Sequence, residues 1–217
     1  MTTYPGRFLA VLLLVAAATM SCTRGSAPKT EESVSAALRT ALDSKQPGFA
    51  AVDGDRGREV WKEEQRFYRQ SGYQLAWSDG RRVRGVFDGL VRALRAADRD
   101  GLDPAEYHVA DLEAAKSAFT RERAIDLDLR ASYAYLRCAW DLTHGTIDPE
   151  DVDPQWHATP RNIDLHNSLQ SAIGSGSVEQ SLVDLAPSSP QYQGLKHQLA
   201  LARSKGDAAA TEQIAMN

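Results

Sequence analysis

The chain has 217 residues, with 25 Lys or Arg against 29 Asp or Glu and a formal net charge of −4. That length holds one medium domain or two small ones, and so balanced a charge gives no electrostatic footprint for nucleic acid. Hydrophobic residues at 42% and charged residues at 25% exclude collagen-like, wholly disordered and multi-span membrane readings. The 2 cysteines exclude a disulfide-stapled scaffold, so a hydrophobic core must carry the stability.

Arg7 precedes an apolar run, Phe8 to Ala18, followed by Thr19-Met20-Ser21-Cys22. One positive charge, a short apolar stretch and then small residues form the pattern of a secretory signal peptide. The run is shorter than the roughly 20 residues a membrane-crossing helix needs. Cys22 stands where a bacterial lipoprotein keeps its modified cysteine, so residues 1–21 resemble a lipoprotein-type signal, with plain secretion as the alternative. Thr19 and Met20 depart from the usual Leu and small residue there. Acylation of Cys22 would anchor the protein, because each buried CH₂ contributes about 0.8 kcal/mol. Thr23, rather than Asp, after Cys22 favours the outer membrane where there is one. Residues 22–57, rich in Ser, Ala, Thr, Lys, Asp and Gly, read as a flexible tether in which Val34 to Leu42 forms a short helix.

From Arg58 the periodicity is helical. Val60, Glu64, Phe67 and Tyr68 mark a helix that stops near Gly72, and the alternation Tyr73-Gln74-Leu75-Ala76-Trp77 predicts one short extended segment before the Ser78-Asp79-Gly80 turn. Val86, Leu90, Val91 and Leu94 form an amphipathic stripe, ended by Gly101 in the left-handed conformation. Asp103-Pro104-Ala105-Glu106 is a helix start. Leu129, Tyr133, Leu136, Trp140 and Thr143 share one helical face, with Gly145 at its end, before the turns at Asp148-Pro149 and Asp153-Pro154. Leu165, Leu169, Ala172 and Ile173 predict a helix closed by Gly174. Ser177 to Gln180 opens another, and Ser189-Pro190 starts a last one with Tyr192, Leu195, Leu199 and Ala202 inward. The expected fold is an all-α, compact multi-helix domain over 58–203, followed by a frayed Ala-rich tail, 204–217.

Little in the chain reads as reactive chemistry. Asp98-Arg99-Asp100-Gly101-Leu102-Asp103 resembles half of a calcium loop, but its Gly and Glu106 fall at the wrong positions for an EF-hand, and a helix stop followed by a helix start explains every residue. His144 to His157 encloses Asp148, Glu150, Asp151 and Asp153 without zinc-ligand spacing. No metal and no cofactor is expected. Glu59, Glu63 and Glu64 read as a solvated helix face. Cys138 lies in a helical apolar pattern and reads as a small buried hydrophobe, since Arg137 alone is thin support for a lowered thiol pKa. No catalytic residue is assigned. Among the aromatics, Phe67, Tyr133 and Trp140 read as core, whereas Trp77 and Trp156, beside turns, are the candidate surface contacts for glycan or peptide.

Several tracts carry a family resemblance: Phe67-Tyr68 with Tyr73-Gln74-Leu75-Ala76-Trp77, Asp100 to Pro104 with Tyr107, Leu129 to Pro149, and Leu182 to Tyr192. Together, over about 58–200, the chain resembles the N-terminal scaffold domain of the large, multi-domain, YcbB-like bacterial L,D-transpeptidases. In that family a catalytic domain bearing a Ser-His-Gly-Cys motif cross-links the stem peptides of peptidoglycan, using an activated thiolate and an oxyanion site. This chain lacks that motif, so the resemblance implies fold, compartment and pathway but no active site. The implied function is a non-catalytic scaffold in cell-wall cross-linking or remodelling, as a partner or a truncated product. The implied partners are peptidoglycan or a cell-wall enzyme, with the membrane reached through the lipid anchor on the periplasmic side. Two alternatives stand beside it: the docking half of a split L,D-transpeptidase, and a peptidoglycan-binding lipoprotein.

Overall fold

The computed structural model of the protein describes residues 29–44, 47–51, 53–146, 161 and 163–215. Cys22, Trp156, both Asp-Pro turns and the signal segment 1–21 lie outside the described residues. Those described contain ten α-helices and no strand: α1 (Lys29–Asp43), α2 (Gly48–Ala51), α3 (Gly54–Gln70), α4 (Val86–Ala96), α5 (Val109–Ser117), α6 (Ala124–His144), α7 (Leu165–Ser175), α8 (Val178–Leu185), α9 (Pro190–Ser204) and α10 (Ala208–Ala215). The all-α expectation holds.

Helix α6 is the axis of the fold. Its residues from Leu127 to Ala139, apart from Arg130, are buried on every side, as a helix packed all round must be. Helices α3, α4, α5, α7 and α8 surround it, each presenting one apolar stripe. From α3 come Val60, Trp61, Phe67 and Tyr68, and from α4 Phe87, Leu90, Val91 and Leu94. Leu165, Leu169 and Ala172 of α7 and Val178, Leu182 and Leu185 of α8 close the other side.

Several local expectations are corrected. The extended segment after α3 is a loop: Gly72 and Tyr73 both take positive φ, at 66° and 58°, and pairing is limited to one antiparallel bridge between Ser78 and Val83. Asp103 does accept from the Ala105 amide at 2.9 Å, but the start it caps is one 3-10 turn, Pro104–Tyr107, broken by His108 at φ 52°. Helix α7 runs past Gly174 and is capped by Gly176 in the left-handed region.

Two larger corrections concern the ends. Part of the stretch read as tether belongs to the folded body: in α1, Leu38 and Leu42 are buried, and Gln65 of α3 donates to the Leu42 carbonyl at 2.7 Å. The approach of α2 to α3 depends on a glycine, because a Cβ at Gly57 would sit 2.1 Å from the Ala50 carbonyl oxygen. The tail read as frayed forms α10, initiated by Asp207, whose carboxylate accepts from the Ala210 amide at 3.0 Å, and packed on α9. Composition alone concealed both, because a weak apolar pattern becomes helical when a neighbouring surface is available to it.

Candidate functional site

Trp77, read from the sequence as a surface contact, is instead a core residue with no exposed surface. Its indole Nε1 donates to Ser132 Oγ at 2.8 Å, and its ring meets Phe87 edge to face at 6.4 Å. The Ala76 and Trp77 amides donate to the Asp128 carboxylate at 2.6 and 3.0 Å, and the Tyr68 hydroxyl lies 2.9 Å from the same group. Asp128 on α6 therefore does for the loop what a peptide ladder would do, satisfying amides that burial has cut off from water. Burial raises its carboxyl to about 6, against the lowering effect of those donors. The alternation at Tyr73–Trp77 pointed to a strand because large residues at alternate positions look the same in a loop that is pinned by one carboxylate.

A second constellation lines a cleft of about 600 Å³ between the start of α3, the Pro104–Tyr107 turn, the C-terminal half of α6 and α10. Asp141 is its centre. Arg56 Nη1 reaches Asp141 Oδ1 at 3.1 Å, the Tyr107 hydroxyl donates to Oδ2 at 3.0 Å, and Arg137, one turn back on α6, pairs with the same oxygen. Arg56 also donates to the Thr146 carbonyl at 2.7 Å. Asp53 faces Arg137 Nε at 3.3 Å and accepts from the Tyr133 hydroxyl. Burial lowers the tendency of Arg137 to hold its proton, but Asp141 and Asp53 outweigh it and the guanidinium stays charged. Such a buried set is costly to desolvate and costly to break one partner at a time. Its i, i+4 members, Arg137 and Asp141, could have been found from sequence as a charged pair inside the longest apolar helix.

The thiol of Cys138 lies behind this cleft, 1% exposed. Burial first, and then the Asp141 carboxylate, push it far above the ordinary thiol range, so at neutral pH it is protonated and shielded. The reading of Cys138 as a buried hydrophobe holds. The acidic run once compared with a calcium loop is also engaged: Asp100 takes Lys196 at 2.5 Å and the Tyr192 hydroxyl at 2.8 Å, and Asp98 takes Arg203 at 3.4 Å. These contacts dock α9 on the end of α4.

The carboxylates of α3 correct another expectation. Glu64, assigned to a solvated face, is wholly buried between Val60 and Phe67 of the apolar stripe. Its neighbour Glu63 is 14% exposed and meets His166 from α7, a residue that no sequence spacing singled out.

A family model described as "Scaffold domain" matches residues 62–199. No curated protein and no solved structure matches the chain.

Proposed function

The chain belongs to the scaffold-domain family, and from that membership we propose that its role is architectural: it is a non-catalytic helical body on which a cell-wall enzyme is organised. The observation that carries this reading is the family match itself, over the same residues that hold the tracts resembling L,D-transpeptidase scaffold domains. The chemistry of the folded body agrees with it. The cysteine of the helical body is buried and protonated, whereas a transpeptidase nucleophile has to be a reachable thiolate. Four charged residues of the cleft, Asp53, Arg56, Arg137 and Asp141, are matched to one another, as supports are, with Asp141 held from three directions.

In the finer form of this proposal the protein sits in the bacterial envelope, anchored by a lipid on Cys22, and supports peptidoglycan cross-linking by a partner that carries the Ser-His-Gly-Cys chemistry. The signal-like segment before Cys22 and the resemblance of the motif series support it. Burial of Trp77 removes one of the two aromatic contacts on which a glycan-binding reading rested.

The test is in vivo cross-linking of the full chain carrying a C-terminal tag, followed by membrane fractionation and identification of captured proteins. Muropeptide analysis of a deletion strain runs beside it. Capture of a cysteine transpeptidase from the membrane fraction, with altered stem-peptide cross-links on deletion, is the expected result. Recovery in the cytosolic fraction with an unchanged muropeptide profile would overturn the proposal.

A further inference from the structure

Helix α3 and the start of α7, a hundred residues apart in the chain, bring three metal-ligating side chains to one point. His166 Nδ1 lies 2.7 Å from Glu63 Oε2 and 2.7 Å from Asp164 Oδ1. One donor atom from each of the three residues falls within 4.8 Å of the other two. We propose that Glu63, Asp164 and His166 form a binding site for a divalent transition-metal cation, Zn²⁺ being the best-matched ion, which ties α3 to α7.

The donor set carries the choice of ion. One imidazole nitrogen with two carboxylate oxygens suits Zn²⁺ and its first-row neighbours, whereas Ca²⁺ and Mg²⁺ favour sites made of oxygen alone. The geometry agrees. A neutral imidazole has at most one proton on Nδ1, and one N–H points well at only one of two oxygens, so the second 2.7 Å contact is poorly used by hydrogen bonding alone. Ligands on a tetrahedral Zn²⁺, with bonds of about 2.0–2.1 Å, stand about 3.3 Å apart. Widening both imidazole contacts by about 0.6 Å, with the two carboxylate oxygens set at the same spacing within their 4.8 Å limit, gives the tetrahedral arrangement.

Both carboxylates are also held from behind, which is how metal ligands are oriented. Glu63 offers its other oxygen to Arg66, and Asp164 offers Oδ2 to the side-chain amide of Asn167 at 2.6 Å. Glu63 and His166 are 14% and 12% exposed while Asp164 is 51% exposed. The site thus has two shielded ligands and one at the surface, giving an entry path and room for water in the remaining position. The competing arrangement is a metal-free cluster in which the Nδ1 of His166 serves one carboxylate at a time.

Calorimetric titration of the full chain with ZnCl₂ separates the two, with MgCl₂ and CaCl₂ as controls and thermal unfolding measured with and without Zn²⁺. The expected result is one saturable Zn²⁺ per chain, a Tm raised by several degrees, and no response to Mg²⁺ or Ca²⁺. Asp164→Asn is the cleaner variant, because Asn caps a helix as well as Asp does. It is expected to keep the metal-free Tm, lower Zn²⁺ affinity by about tenfold or more, since losing even a partner behind a ligand costs that much, and abolish the Zn²⁺-induced rise. His166→Gln is expected to lose the site as well. His108, His144, His157 and His197 are a source of adventitious binding, so the imidazole signals of the Zn²⁺ form are followed by NMR, and those of His166 must be the ones that shift. No saturable Zn²⁺ binding at about 100 μM, or binding unchanged in both variants, overturns the proposal in favour of the metal-free cluster.

Discussion

Replacing Glu64 by Leu should stabilise this protein, and more so as the pH rises. Glu64 is fully buried, and among the described residues neither carboxylate oxygen has a hydrogen-bond partner. Burial, and then the nearby Asp128 carboxylate, raise its carboxyl well above the ordinary range. A carboxyl whose folded pKa is raised binds more protons in the native than in the unfolded state between about pH 4.3 and that folded pKa, so stability falls as pH climbs through this window. Leu removes the buried polar group at nearly constant volume. The unsatisfied desolvation it relieves is about 1–3 kcal/mol, against a repacking cost below about 1.5 kcal/mol. At about 2–4 °C per kcal/mol for a domain of this size, a net gain near 1–2 kcal/mol gives a Tm rise of roughly 2–8 °C at pH 7. The assay is urea unfolding followed by helical circular dichroism from pH 4.5 to 8. The difference between Glu64→Leu and the unmutated chain should widen with pH, while the decline due to Asp128, whose carboxyl is raised to about 6, persists in both. A variant less stable than the parent at pH 7, or two stability curves running parallel in pH, would refute the reasoning.

Three further outcomes follow from the same packing. Trp77→Phe loses the indole bond to Ser132 and leaves a void against Phe87, so denaturant unfolding should show a loss of about 2–4 kcal/mol; a neutral effect would mean that Trp77 is at the surface after all. In a Cys22→Ser background, Cys138 should resist a water-soluble thiol reagent in the native state and react at once in denaturant, because the thiol is buried and held protonated. Gly101 takes φ 78°, and a Cβ there would lie 3.3 Å from the Ala215 carbonyl oxygen. Gly101→Ala should therefore cost about 1–2 kcal/mol for the left-handed backbone, read as a lower Tm. An unchanged Tm would mean that Gly101 does not take the left-handed conformation.

Local chemistry in the chain was enough to determine the helices of the central body and most of their ends. The apolar repeats of α3, α4 and α6, the Asp103-Pro104 and Ser189-Pro190 starts and the left-handed stop at Gly101 depend on residues within a few positions of one another, and the structure has each of them. Cys138 was legible for the same reason, being embedded in an apolar helical face. Tertiary structure alone decided what depends on residues that meet from far apart. Asp128 pulls Trp77 inward across 51 positions. The partners of Asp141 come from α3, α6 and the Pro104–Tyr107 turn, and α9 supplies those of Asp98 and Asp100. Glu63 meets His166 across 103 positions. A sequence pattern records which face of a helix is apolar. It does not record which neighbour covers a polar group, and the cost of burying that group depends on the neighbour.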